Sequence, residues 1–353
     1  MTSTSAWKQR DAIRWGIIGC GDVTEVKSGP GFQKAAGSQL VAVMRRNAAL
    51  AEDYARRHGV PKWYADAEEL IADPDVDAVY VATPPGTHCE YALQVCTAGK
   101  PAYIEKPMTR NATECERMVQ AFAEARLPLF VAYYRRRLPR FLKAKELIDA
   151  GALGRVTGLH YHFADSRHQS VNAGGLPWRL SAENAGGGLI FDLGSHTLDI
   201  VDFLLGPLQD IAGMAANLAS PQDVEDVVVM SFRAGDGVPG VATWNFASAT
   251  REDMIQITGT NGRVSLSTFG LEPVRLETAD GLLEFDLPNP PHVAQPLIQT
   301  VVDELLGHGS CPSTGETALR TARVMDQALE GYYGGRSDEF WLRPESWPGR
   351  RKH

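Results

Sequence analysis

Short apolar runs rich in β-branched and aromatic residues alternate with longer helical patterns over the first third of the chain. IRWGII, QLVAVM, DAVYVA, PAYIE and PLFVAY have the length of buried strands, and LAEDYARRHG, THCEYALQVCTAG and NATECERMVQAFAEA have the apolar spacing of helices. This alternation predicts βαβ units and a parallel sheet covered on both faces, ending near residue 133. A helix over FLKAKELIDAG follows, and a further helical pattern begins after the glycines at 186 to 188. Beyond it the period changes. LQDIAGMAAN, DVVVMSF, GVATWNFAS, DMIQITG, RVSLST and VRLET are separated by Gly, Pro, Asn and Asp turns, which predicts a large, mostly antiparallel sheet open on one face. GETALRTARVMDQALEGYYGG predicts a closing helix, and there is no internal repeat. The expectation is an α/β protein of two domains, 1–133 with a doubly wound parallel sheet and 134–353 built on the open sheet.

Composition narrows the function. With 22% charged and 44% hydrophobic residues in 353, the chain is an ordinary globular protein. The segment MTSTSAWKQRDA has no apolar core of the kind a signal peptide needs, and no run reaches the roughly 20 apolar residues of a membrane span, so a cytoplasmic location without membrane contact is expected. The five cysteines, Cys20, Cys89, Cys96, Cys115 and Cys311, have neither disulfide-framework nor zinc-site spacing, and no metal is expected. Formal net charge is −8, and the only basic runs are RRRLPR at 135–140 and the terminal GRRKH, which argues against nucleic acid.

The first strand runs into Gly19, Cys20, Gly21, Asp22, Val23 and Thr24, a GxGxxG fingerprint whose third glycine is replaced. Two glycines let the backbone turn tightly and approach a pyrophosphate. Thr24 implies a different helix seat, and Gly29 and Pro30 are expected to break or shorten the first helix. An NAD site would place Asp or Glu about 20 residues further on. VAVMRRN places Arg45 and Arg46 there, and a guanidinium suits a 2′-phosphate, so the expected cofactor is NADP, with NAD possible.

Three segments together resemble the Gfo/Idh/MocA family of oxidoreductases: GCGDV after the first strand, EKP at 105–107, and GGGLIFDLGSHTLDIVDFLLG at 186–206. The resemblance covers nearly the whole chain and implies an N-terminal Rossmann domain followed by an α/β domain whose open sheet forms a homodimer or homotetramer interface. The implied reaction is NAD(P)-dependent hydride transfer with a sugar, polyol or cyclic alcohol. It further implies that Lys106 reaches nicotinamide ribose and the reacting oxygen, that Pro107 is cis, and that Glu105 lies near the cofactor. His196 is then the proton-exchanging base and Asp192 binds substrate or orients that base. Four-residue spacing would place Asp192 and His196 on one helix face, with Asp199 as structural support. Thr83, Pro84 and His88 of TPPGTH are expected to border the cofactor, as are Trp178 and Arg179. Tyr134, Tyr161 and Phe163 could line the sugar site. Two other readings of the same residues are a nucleotide-sensing regulator without catalysis and an enzyme using tightly held NAD for hydrolysis or epimerisation.

Overall fold

The computed structural model describes residue 7 and residues 10–166, 178–337 and 339–350. Two compact units divide the chain. The first comprises Met1–Thr109, Glu114–Arg137 and Pro290–Leu319, and the second comprises Arg110–Thr113, Leu138–Asn289 and Arg320–His353.

In chain order the first unit begins with β1 (Ile13–Ile18), α1 (Asp22–Val26), α2 (Gly29–Lys34), β2 (Ser38–Met44), α3 (Ala48–His58), β3 (Lys62–Tyr64) and α4 (Ala67–Ala72). It continues through β4 (Ala78–Val81), α5 (His88–Thr97), β5 (Ala102–Ile104), α6 (Ala112–Ala125) and β6 (Leu129–Val131). The six strands pair in parallel in the order β3-β2-β1-β4-β5-β6, the doubly wound arrangement expected from the alternating pattern. Such a sheet is apolar on both faces because helices cover both, and β1, β4 and β5 are almost wholly buried.

The second unit holds α7 (Pro139–Asp149), β7 (Val156–Ala164), α8 (Ala182–Ala185), α9 (Ser195–Leu205), β8 (Leu208–Ala216), β9 (Val227–Ala234) and β10 (Val238–Asn245). After them come β11 (Glu252–Gly259), β12 (Gly262–Leu266), β13 (Val274–Thr278) and β14 (Gly281–Phe285); of the last two helices, α10 (Gln295–Leu306) belongs to the first unit, and α11 (Gly315–Tyr333) begins in the first and ends in the second. Its eight strands run β14-β13-β12-β11-β7-β10-β9-β8, antiparallel except between β7 and β10. Burial alternates along β7, β9, β10 and β11, with Tyr161, Phe163, Phe232 and Trp244 inward, so one face is core and the other is open.

The boundary drawn after residue 133 assigns residues 290–319 to the second domain, but they pack in the first unit. The reason is apolar burial: Leu297, Ile298, Val301, Val302, Leu305 and Leu306 of α10 join Ile13, Trp15, Phe32 and Phe130 in one core cluster. The first fingerprint helix is broken, as Gly29 and Pro30 suggest, into α1 and α2.

Candidate active site

β1 runs into Gly19, whose φ of 91° lies in the region that glycine adopts without strain. Its N–H and that of Cys20 both donate to Met44 O, at 2.9 and 3.1 Å, which ties the loop to the end of β2. A Cβ on Gly19 would lie 2.8 Å from Thr83 Cγ2, so only glycine lets the ends of β1 and β4 meet here. At Gly21 the nearest atom to such a carbon is 3.9 Å away, leaving an open backbone surface that fits a pyrophosphate. The Cys20 side chain is buried in the core, and burial pushes its thiol up to about 11, so this residue offers a ligand only its backbone. Asp22 and Val23 open α1, the first exposed and the second half-buried.

Thr24, in place of the third glycine, turns its hydroxyl back to Gly21 O at 2.7 Å and accepts from Tyr54 Oη at 2.9 Å through its carbonyl. The close approach normally made by a third glycine occurs instead at Gly29, where a Cβ would sit 2.2 Å from Thr24 O and 2.5 Å from Tyr54 Oη. α1 is also bracketed to the end of α3. Both Glu25 carboxylate oxygens accept from Arg57, at 2.9 and 2.7 Å, and His58 Nε2 lies 2.7 Å from Glu25 Oε2. The Arg57 hydrogen bonds hold the Glu25 carboxyl down to about 2. Arg45 and Arg46 follow β2 and are exposed; Arg45 Nη1 donates a long bond to Cys20 O, 3.5 Å.

The EKP turn leaves β5 at the same carboxyl edge of the sheet. The Lys106–Pro107 peptide is cis. Glu105 Oε1 accepts from Tyr80 Oη at 2.6 Å and Oε2 from the Lys106 N–H at 2.9 Å, and burial raises its carboxyl above the ordinary carboxylate range. His88 was expected to border the cofactor, but its ring is fully enclosed. Nε2 lies 2.6 Å from Thr83 O, and Nδ1 lies 3.2 and 3.1 Å from Pro107 O and Met108 O. Burial lowers its pKa, and the ring acts as a bracket between two loops. Pro84 and Thr83 remain half-buried, with Thr87 Oγ1 donating to Thr83 Oγ1 at 2.8 Å.

In the second unit the three glycines are required by contact. A Cβ on Gly186 would lie 2.5 Å from Arg110 O, and one on Gly188 would lie 2.2 Å from Glu225 O. Gly188 N–H donates to Glu225 Oε1 at 2.9 Å, and Tyr333 Oη donates to Glu225 Oε2. Residues Ile190–Gly194 then form a π-helical turn before α9. Asp192 lies in this π turn and His196 in the first turn of α9. Of the expected cofactor-bordering pair Trp178 and Arg179, Arg179 Nε pairs with Asp192 Oδ2 at 3.0 Å, and its guanidinium lies 4.4 Å from the Trp178 ring centroid. His196 is buried, and its ring centre is 6.2 Å from that of Phe269 at 74°. Asp199 is buried on the same helix.

These two constellations, and the sheets that carry them, match known families. Residues 13–133 fit the model of the oxidoreductase family with an NAD-binding Rossmann fold, and residues 141–265 fit the GFO/IDH/MocA C-terminal domain. Oxidoreductase P35 of Formosa agariphila is 39% identical over 89% of this chain and 97% of its own. The chain belongs to the Gfo/Idh/MocA oxidoreductase family. Within it, the 1,5-anhydro-D-fructose reductase of Ensifer adhaerens is 30% identical over 87% of this chain and 92% of its own. The structure of a levoglucosan dehydrogenase with NADH and levoglucosan superposes with a TM-score of 0.80 at 23% identity, over 90% of this chain and 97% of that one, a likeness of fold.

As a family member the chain is an oxidoreductase with a Rossmann NAD-binding domain, and the regulator reading is set aside. In the first unit the structure gathers Gly19, Cys20, Gly21, Arg45, Thr83, His88, Glu105 and the Lys106 turn; in the second it gathers Trp178, Arg179 and Asp192. Tyr161 and Phe163 are core residues, against Trp244 and Phe246, and do not present free faces to a ligand. Tyr134 is half-buried, with the Arg135 guanidinium 4.9 Å from its ring centre. Arg135, Arg136 and Arg140 of the basic run are buried, so that run is not a charged surface. Among the described residues no His, Cys, Asp and Glu cluster could hold a metal, and no helix is long and apolar enough to cross a membrane.

What the sequence reading missed is the pinning of the loop after β12. Asp253 accepts from the N–H groups of Thr268, Phe269 and Gly270 at 3.0, 2.6 and 3.3 Å. No local pattern announces this, because the acceptor lies on β11 and the donors lie in a loop beyond the next strand.

Proposed function

We propose that this oxidoreductase transfers hydride between a nicotinamide dinucleotide, with NADP preferred, and a carbinol carbon of a sugar, polyol or cyclic alcohol. The observation that carries the reading is a continuous chain of contacts along the carboxyl edge of the parallel sheet: Gly19 against Thr83, Thr83 O to His88, and His88 to Pro107 O beside Lys106. Ligands of open parallel sheets bind at that edge. The bound dinucleotide supplies the hydride acceptor or donor. Lys106 is assigned to hold developing alkoxide charge and His196 to exchange the alcohol proton, with Asp192 binding substrate hydroxyl. Support for a sugar-like substrate comes from the names of relatives, an anhydrofructose reductase and a levoglucosan dehydrogenase.

The cofactor preference rests on Arg45 and Arg46, exposed directly after β2, followed by Asn47, which caps α3 through the Leu50 N–H. No carboxylate stands there to bind a ribose diol. Titration of NADP and NAD against wild type and an Arg45→Asp, Arg46→Ala variant should show tighter NADP binding that the variant loses. Equal wild-type affinities reject the preference.

The activity is tested by following absorbance at 340 nm with both cofactors and a panel of sugars, anhydrosugars and polyols. Lys106→Ala should lower turnover by roughly 10²–10³ and His196→Ala by about 10²–10⁴. Cofactor retained through purification with no net change at 340 nm on any substrate would favour the internal-NAD reading instead.

A further inference from the structure

The loop over residues 267–273, between β12 and β13, is held more firmly than a surface connection needs. Asp253 receives three successive backbone N–H groups from it, and Tyr161 Oη also donates to Asp253 Oδ1 at 3.4 Å. Arg140, itself buried, donates to the carbonyls of Gly270 and Glu272 from the other side. Ser267 Oγ donates to Glu272 Oε2 at 2.7 Å, and a Cβ on Gly270 would lie 2.0 Å from that same oxygen. Such a density of bonds fixes the direction of the residues that the loop presents to α9.

Two of those residues meet α9 at neighbouring positions. Thr268 Oγ1 lies 3.4 Å from Thr197 Oγ1, and the Phe269 ring stands edge-on to His196. Phe269 also meets Phe163, with ring centres 5.6 Å apart at 72°. An imidazole turns easily about its outer torsion, where preferred wells are broad, so a ring packed edge-on against it narrows the orientations its nitrogens adopt.

From these contacts we infer that Phe269, aimed by Asp253, is a positioning residue for His196. It acts through the histidine and needs no contact with substrate. The inference rests on the reading of His196 as the proton-exchanging base, and nothing in the family match assigns the loop this role.

The test compares a variant that keeps the ring with one that removes it. Phe269 is among the residues lining a cavity of about 660 Å³; Phe269→Tyr keeps the ring, whereas Phe269→Leu keeps apolar bulk without one. In the full-length protein, Phe269→Leu should lower kcat by about 10–100-fold, the scale of a small misplacement of a reacting group, while KM for the cofactor stays within about twofold. Phe269→Tyr should stay close to wild type. Asp253→Asn should lower kcat in the same direction and add little to Phe269→Leu, since both act along one path. Independently of turnover, the imidazole Hε1 resonance of His196, assigned by its loss in His196→Gln, should shift in Phe269→Leu and hold in Phe269→Tyr. Wild-type kcat or an unmoved resonance in Phe269→Leu overturns the inference, and should Asp253→Asn not fold, the Leu and Tyr pair decides alone. If His196→Gln itself keeps wild-type turnover, the base reading fails and takes this role with it. An inactive His196→Gln beside a fully active Phe269→Leu removes the positioning role only.

Discussion

At Gly29 the backbone comes so near the Thr24 carbonyl and the Tyr54 hydroxyl that a single added carbon would lie 2.2 and 2.5 Å from them. Gly21, in the same loop, has its nearest such neighbour at 3.9 Å. The two positions therefore answer a methyl group differently. Gly29→Ala should lose about 1–3 kcal/mol of stability as α1 and α2 are pushed apart, whereas Gly21→Ala should cost less than about 0.5 kcal/mol while weakening dinucleotide binding. Denaturant unfolding and cofactor titration of both variants check this; an unaltered midpoint in Gly29→Ala would remove Gly29 as the substitute for the missing third glycine. The fingerprint itself was legible at this scale, since glycine is dictated by local backbone geometry. His88 was not. A histidine after TPPGT looks the same in sequence whether its ring faces a ligand or three carbonyl oxygens, and only the partner loop at Pro107 and Met108 settles which.

Among the elements, α1 is short, with no side-chain cap at its start, and its anchorage depends on the Glu25 bracket to α3. The sign of the pH effect follows from the lowered carboxyl. An unfolded Glu titrates near 4.3, roughly, and the folded one at about 2, so between those values the unfolded chain binds more protons. The bracket's contribution is full above pH 4.3 or so and disappears as pH falls toward 2. Melting temperatures of wild type and Glu25→Gln should differ by a constant amount above about pH 5 and converge as the acid range is entered. A difference that ignores pH would show that the Arg57 and His58 contacts carry no charge dependence. The strands of the open sheet were legible because alternation such as that of GVATWNFAS has period 2, and this survives in β10. The π turn at Ile190–Gly194 was not, since one extra residue in a run of Leu, Ile and Phe leaves an apolar segment apolar. The place of α10 is not legible either, although QPLIQTVVDELL has an apolar stripe, because its seat in the first unit depends on Trp15 and Phe32, far away in sequence.

For the molecule as a whole, the open face of the eight-stranded sheet presents a row across five strands. Met214, Val229, Thr243, His162 and Met254 stand opposite one another in register, with Met214 75% and Val229 40% exposed. Such a row, apolar at Met214, Val229 and Met254 and polar at Thr243 and His162, is suited to cover by a second copy, whose own face repeats it about a two-fold axis. Sedimentation at micromolar concentration should find a dimer or tetramer, and Val229→Glu should shift it toward monomer. A wild-type monomer rejects the association. Another consequence comes from Pro290–Leu319, which completes the core of the first unit although most of that unit lies before residue 138. On the ribosome, Ile13, Trp15 and Phe32 emerge before the open sheet, yet the helix that shields them is synthesised only after it. The dinucleotide half of this enzyme must therefore wait, its apolar flank unshielded, while the whole of the open sheet is made.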